Sequence, residues 1–506
     1  MLLKFDFDYV SENDFFEYLL RFYAQNLSFS LKKEPFKIIL TLQADEKQML
    51  EFCDKLENIP NSVFLRDFKV STLENESIEP DNTKKEFAKK DFLTNLNLKA
   101  YQEKGELKEN EWGIFLQNEL SFDNKSFQSI DKSNFNTLLN ESLAKLKALQ
   151  SIFIKDECGI YELSLMKEGF KGDFVMPTDI KAIKTAFVCA NSNLKLLASL
   201  EKPLIKLRFS AIFRQNNGIK LNEFKLKLPH NLFFFALGAR LFEENCYFLS
   251  FIRLEKFSDE FELFECGRRL IVTRGLSFIN QRAKELILSK KDKNMARISY
   301  VLSRFNQNAL LLELSQKYDD ILLINKETNL LKLTLPHNAT QMYETLCADE
   351  LGKRLVTNYQ KKFTLLKGEF EVKNNFFSLF GLVGQVLGLD DDTQNAAKRL
   401  LELSDKSKMP RGVKIDFKHD DKEFDYTKTL RSVMSFLLAG VEAENIAFGV
   451  VESLAYYLRD FYDELRAKKQ ADIAIITGSL FECKSLSKHT LKHLKDCLVC
   501  DVPLWI

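Results

Sequence analysis

Ala471-Asp-Ile-Ala-Ile-Ile-Thr-Gly-Ser-Leu480 decides how the chain is read. Ile473 to Ile476 is an unbroken apolar run closed by Thr477, Gly478 and Ser479, the pattern of a strand covered on both faces by helices. Where such a strand ends in a Gly-Ser turn before a helix, the backbone N–H groups suit a phosphate or a ribose, although the same turn also serves as a plain connection. A long helix, about Glu444 to Lys468, leads into it. Ile446, Val450, Leu454, Leu458, Phe461 and Leu465 recur there at helical spacing and share one apolar face, leaving Arg459, Asp463, Glu464 and Lys468 to the solvent. A second helix is expected after Glu482.

A chain of 506 residues exceeds one ordinary core, so about two to four domains are expected. At 45% hydrophobic and 29% charged residues the composition is that of a globular protein. Lys and Arg total 73 against 72 Asp and Glu, a net charge of +1, so nothing global steers the chain to nucleic acid or to acidic substrates. The cysteines, Cys53, Cys158, Cys189, Cys246, Cys266, Cys347, Cys483, Cys497 and Cys500, are mostly isolated and several sit in apolar surroundings, as reduced thiols do. Neither a signal peptide nor a membrane span is recognisable, and the cytoplasm is the expected location.

In chain order, residues 1–73 read as strand, helix, two strands, helix, strand: Leu2 to Phe7, Glu12 to Tyr23, Leu27 to Leu31 with Phe36 to Leu42, Glu46 to Leu56, and Val63 to Val70. This is a small α+β domain of ferredoxin-like order. Arg21 on its first helix could meet an anion; the expected reading is a solvated or salt-bridged arginine. Glu74 to Lys90 is polar and reads as a linker. Residues 91–208 form a poorly defined middle α+β region whose clearest helix is Asn134 to Leu149, with no clustered metal ligands or nucleotide motif. Further on, Leu232 to Leu241 is apolar, Cys246 to Leu254 reads as a buried strand, and Arg268, Arg269 and Arg274 lie close together, suited to an anion or to salt bridges. Ile298 to Glu313 is expected to be mainly helical and Ile321 to Ile324 a strand. His337 has Gln341 four residues on, which argues against a metal pair. Asp390 to Asp392 are expected to cap a helix. Cys497-Leu-Val-Cys500 is a single CxxC, too little for structural zinc.

Phe234-Phe-Ala-Leu-Gly-Ala-Arg-Leu241, Cys246-Tyr-Phe-Leu-Ser-Phe-Ile-Arg-Leu254, Leu379-Phe-Gly-Leu-Val-Gly-Gln-Val-Leu-Gly-Leu389, Ala447-Phe-Gly-Val-Val-Glu-Ser-Leu454 and Ile473-Ala-Ile-Ile-Thr-Gly-Ser-Leu-Phe-Glu482 occur in an order that resembles the TsaD-like domain of the HypF carbamoyltransferase family. Residues 1–73 are similar in order to that family's acylphosphatase-like domain. The resemblance extends to the family's shorter HydE-like branch, accessory proteins of nickel-iron hydrogenases. It implies a multidomain α/β chain with a degenerate, actin-like, two-lobed TsaD-like domain over 209–506. It also implies ATP or another adenine nucleotide beside Thr477, Gly478 and Ser479. The family's paired-cysteine zinc motifs, its neighbouring metal histidines and its acylphosphatase loop have no counterpart here; His337 stands alone in Pro336-His-Asn-Ala-Thr-Gln-Met342. The expectation is therefore an assembly or interaction factor for nickel-iron hydrogenase, a pseudoenzyme with no assigned catalytic residue and no metal. Its expected partners are hydrogenase subunits or other maturation factors, not nucleic acid. The alternatives are an ATP-dependent carbamoyltransferase and a transfer-RNA threonylcarbamoyl-modification factor.

Overall fold

The computed structural model describes residues 1–34, 36–73, 78, 85–166, 170–267, 269–305, 308–324, 330–494, 496–499 and 501–506. Arg268, Cys500 and most of the linker expected at 74–90 lie outside the described residues. The chain is a multidomain α/β protein with several sheets. It divides into a first unit, Met1–Glu265 with Arg274–Lys290, and a second, Cys266–Thr273 with Lys291–Ile506.

The first unit opens with strands Leu2–Tyr9, Ser28–Glu34, Lys37–Gln43 and Leu65–Thr72, and helices Phe15–Ala24 and Glu46–Leu56 follow the first and third strands. The four strands form one antiparallel sheet with the third and fourth flanking the first. Alternation explains its inner face: Phe5, Phe7 and Tyr9 point the same way, and Phe16 and Phe52 from the helices meet them with ring centroids 5.1 to 5.7 Å apart. Asp45 and Gln48 make a reciprocal capping box that fixes where the second helix starts. Arg21 pairs with Glu17 at 3.1 Å, which gives it the structural role open to it from sequence.

A nine-stranded mixed sheet follows, and Ile205–Phe209 and Glu223–Leu226 are paired inside it, so it runs across the position where the last domain was expected to begin. Phenylalanine fills the space around this sheet. Phe135 meets Phe233 at 5.7 Å, and the Phe170 ring contacts Phe187, Phe209, Phe224 and Phe248 at 4.7 to 5.6 Å. With 45 phenylalanines in the chain, edge-to-face packing carries much of this core.

In the second unit, Ile321–Ile324, Ala309–Glu313, Ile473–Thr477 and Cys497–Val499 lie side by side in that order. The two central strands are parallel, Leu311 opposite Ile475 and Glu313 opposite Thr477. The expected strand at Ile473 is thus a central one. The helix expected over Ile298 to Glu313 instead splits into helix Lys293–Ser303 and the fully buried strand Ala309–Glu313. A run of Ala and three Leu fits either element by pattern, and pairing on both edges settles it as a strand. Helix Ala443–Ala467 buries Ile446, Val450, Leu454, Leu458, Phe461 and Leu465, the face legible in the sequence. Helices Phe376–Val386 and Thr393–Lys406 approach closely because Gly381 and Gly384 carry no Cβ: one added there would fall 2.4 Å from the Thr393 carbonyl oxygen and 2.6 Å from that of Ala396.

Arg297 is among the most buried side chains, at 1% exposure, and its guanidinium meets Glu313, Asn294 at 2.6 Å, and the carbonyl oxygens of Pro503 and Leu504 at 3.0 and 2.6 Å. It joins helix, central strand and the 501–506 segment. Arg304 and Asp501 form a second buried pair nearby. Replacing Arg297 with Ala leaves Glu313 buried and unpaired, and chemical denaturation followed by fluorescence should show a loss of about 3–5 kcal/mol from the second unit.

Candidate functional site

The turn after strand Ile473–Thr477 spends several of its polar groups on the protein itself, while the buried Thr477 Oγ1 has no hydrogen-bond partner among the described residues. Gly478 has φ of +96°, and a Cβ there would lie 2.2 Å from the Leu314 carbonyl oxygen, so its close approach is to backbone. The Ser479 hydroxyl accepts the Gln316 N–H at 2.8 Å, and its carbonyl accepts the Gln316 side-chain amide at 2.8 Å. Thr477 is buried, its carbonyl accepting from the Leu314 N–H at 3.0 Å. A short turn, Ser479–Glu482, precedes helix Lys484–His493. The N-terminal amides of that helix are met by the Asp405 carboxylate, which accepts from Ser485 at 2.7 Å and Lys484 at 3.3 Å. A carboxylate of the chain sits where a helix start would otherwise attract an external anion.

The remaining residues noted in the sequence resolve one by one. His337 is exposed and lends its backbone N–H to Gln341 at 2.9 Å, while Asn338 caps helix Ala339–Leu346 through the Gln341 N–H at 2.8 Å. Asp392 caps Thr393–Lys406, and Asp390 pairs with Arg399 at 2.9 Å. Arg269 donates to the Cys497 carbonyl, and Arg274 lies 3.8 Å from Glu262.

A cluster of titratable groups lies in the first unit, around a cavity of about 70 Å³. The turn between Ile152–Lys155 and Gly159–Leu165 supplies Asp156 and Cys158; the segment after Glu223–Leu226 supplies Lys227 and His230; Glu260 follows Phe248–Lys256. Glu260 is clasped on both oxygens, by the Tyr161 hydroxyl at 2.6 Å and the Lys227 ammonium at 2.6 Å. Burial works against both charges, yet their mutual attraction wins, raising Lys227 and lowering Glu260 from their ordinary values. Asp156, which accepts the Cys158 and Gly159 N–H groups at 2.7 and 3.0 Å, is pushed up to about 6 by burial and by Glu260. Burial and Glu260 push the Cys158 thiol up to about 12, so it is neutral and a poor nucleophile. Burial keeps His230 uncharged and brings Lys202 down to about 8; the Lys202 ammonium donates to the Ala198 and Ser199 carbonyls, each at 2.8 Å.

Two groups on the cavity wall have capacity left. Asn118 accepts from Asn231 at 3.0 Å, while its buried Nδ2 has no hydrogen-bond partner among the described residues. Asp91 accepts the Gln117 N–H at 3.1 Å through one oxygen; its other is buried and unmatched, and burial raises its pKa to about 7. Together they offer a hydrogen-bond donor and a carboxyl that gains or loses a proton near neutrality, suited to a small polar ligand with a carbonyl or amide group. Asp156, Cys158 and Glu260 also bring candidate ligand atoms within 4.8 Å of one another, but the Lys227 ammonium already supplies a cation there. Sequence reading passes over this site because its members come from widely separated segments; the local pairs Asp156-x-Cys158 and Lys227-x-x-His230 are too short to mean anything alone.

No protein-family model matches the chain. Its fold is similar to that of HypF: two solved structures, full-length HypF in the phosphate- and nucleotide-bound form and HypF of T. kodakarensis, each match over 100% of this chain and 96% of their own. The TM-scores are 0.55 and 0.56 and the sequence identity 10%, a likeness of fold. In sequence the chain is similar to Protein HydE of Wolinella succinogenes, 23% identical over 556 residues and covering 100% of this chain and 99% of that protein, which marks a distant family relationship. Among the described residues no helix is long and apolar enough to cross a membrane.

Gly478→Ala should cost about 2 kcal/mol or more in urea unfolding, because it combines a positive φ with overlap at the Leu314 carbonyl. For Asp91 the sign follows from a folded-state pKa of about 7 against an ordinary 3.8: its contribution to stability is full below about pH 4 and is lost as pH rises through about 7. Asp91→Asn should therefore flatten the pH dependence between those values and stabilise the protein at pH 8 by about 1–3 kcal/mol, read from paired denaturation curves.

Proposed function

We propose that the chain is an accessory factor in nickel-iron hydrogenase maturation, acting in the cytoplasm as an assembly or interaction protein on a degenerate HypF-like scaffold. The end-to-end similarity to Protein HydE carries this reading, and the HypF-like fold over the whole chain supports it. In it, residues 1–73 are the acylphosphatase-like domain with ferredoxin-like strand order, the middle α+β domain expected over 91–208 continues through the strands of its sheet to Lys256, and the TsaD-like, actin-like part expected over 209–506 corresponds to the second unit. Hydrogenase subunits or other maturation factors are its partners. Three local features favour interaction over catalysis at the family's nucleotide turn. Gly478 is packed on Leu314, Ser479 is held by Gln316, and Asp405 caps the next helix. Losing preorganised phosphate contacts and metal ligands removes more transition-state stabilisation than one glycine turn returns.

A second reading, ATP-dependent carbamoyl transfer, draws on the first-unit cavity, where the Asn118 amide and the Asp91 carboxyl are free to hold a small carbonyl compound. One HypF structure is described as phosphate- and nucleotide-bound, and Thr477, Gly478 and Ser479 are where a nucleotide is sought in this chain.

Deleting the gene should lower hydrogenase activity, and tagged protein recovered from cells grown on hydrogen and nickel should carry a hydrogenase subunit or a maturation factor. Purified protein should not consume carbamoyl phosphate with ATP. Normal hydrogenase activity in the deletion strain together with no specific capture would overturn the reading, whereas turnover abolished by Asn118→Ala would establish the second.

A further inference from the structure

Helix Ala443–Ala467 packs against helix Lys484–His493, and between them lie three side chains of metal-ligating type, two of them with unmatched atoms. His489 and His493 are four residues apart on the second helix, a spacing that places two imidazoles on one face. Glu452 faces them from the first. His489 is 8% exposed, and its Nδ1 lies 3.8 Å from the Glu452 Oε1, beyond hydrogen-bond range. That Nδ1 and the Nε2 of His493 are both buried without a hydrogen-bond partner among the described residues. The other Glu452 oxygen accepts the Gly412 N–H at 2.9 Å, so the carboxylate is held in place. Phe448 and Tyr456 wall the imidazoles, with ring centroids 5.3 Å from His489 and 4.4 Å from His493. A buried nitrogen without a partner is unfavourable, and two of them on one helix, the first beside a buried carboxylate, call for a ligand.

We propose that His489, His493 and Glu452 bind a divalent transition-metal ion of the zinc class. Zinc lies about 2.0–2.2 Å from such donors, so the 3.8 Å between Nδ1 and Oε1 is near the span a tetrahedral centre needs. The two histidine rings are 6.4 Å apart between centroids and the ligand atoms of the three side chains are not gathered within 4.8 Å of one another, so the site requires His493, in the last turn of its helix, to change rotamer. Water completes the coordination. Imidazole and carboxylate donors favour zinc, nickel or cobalt over magnesium and calcium. Burial holds both histidines below their ordinary pKa, so they are neutral, as metal ligands must be, at physiological pH. The exposed Lys488 and Lys492 on the same helix are screened by solvent. The site does not depend on the maturation role.

The test is a titration of metal-stripped full-length protein with Zn²⁺ and Mg²⁺ by calorimetry, and with Co²⁺ by visible absorption. One equivalent of Zn²⁺ should bind and raise the Tm, Mg²⁺ should not bind, and Co²⁺ should give the absorption of a low-symmetry nitrogen and oxygen site. His493→Ala and Glu452→Gln, the latter retaining an acceptor for Gly412, should each weaken Zn²⁺ binding at least about tenfold with unchanged circular dichroism. Absence of stoichiometric Zn²⁺ binding, or wild-type affinity in both variants, would overturn the proposal. So would a loss of binding in Cys158→Ser, which would place the metal at Asp156, Cys158 and Glu260 instead.

Discussion

A carboxylate taken out of water must be met by a cation, and both units are built around that requirement. In the first, Glu260 is reached by the Lys227 ammonium and the Tyr161 hydroxyl, three residues from separate segments brought to one point. In the second, Glu313 at the end of a central strand is reached by Arg297 from the preceding helix, which also ties down the carbonyls of Pro503 and Leu504. Neither pair is a strong source of net stability, because desolvation offsets most of the attraction. Their effect is selective: any packing that separates the partners strands a charge in the core. The raised acids around the first-unit cavity, Asp91 and Asp156, follow from the same crowding of buried charge.

Periodicity made much of the architecture legible. The buried face of Ala443–Ala467, the central strand at Ile473, the N-terminal alternation of strands and helices, and the caps at Asn338 and Asp392 all follow from local pattern. Pattern is weaker where pairing decides. Ala309–Glu313 has leucines that suit a helix, and the strands across residues 205–226 gain their place from neighbours distant in sequence. The cavity was least legible of all, since burial, and not residue type, turns Asp91 into an acid that titrates near neutrality. His489 and His493 show the intermediate case. Their helical spacing stands in the sequence, but spacing carries no depth, and only the facing Glu452 and the unmatched nitrogens give it chemical weight.

In the turn after Ile473–Thr477 the chain supplies partners from its own residues. Leu314 lies against Gly478, Gln316 takes up Ser479, and Asp405 answers the helix amides. These groups satisfy internally what a phosphate would satisfy from outside.

The Arg297 network also sets an order of events. Ala309–Glu313 and its parallel neighbour Ile473–Thr477 are separated by several helices, and the carbonyls that complete the Arg297 shell belong to Pro503 and Leu504. A nascent chain cannot close this core until those residues have left the ribosome. During synthesis the first unit can already be assembled while the leucine-rich strand at 309 waits without its partner. Until residues 473–477 emerge, the edge of Ala309–Glu313 that they cover has no strand beside it, so a chain cut short before them is expected to present that edge to aggregation.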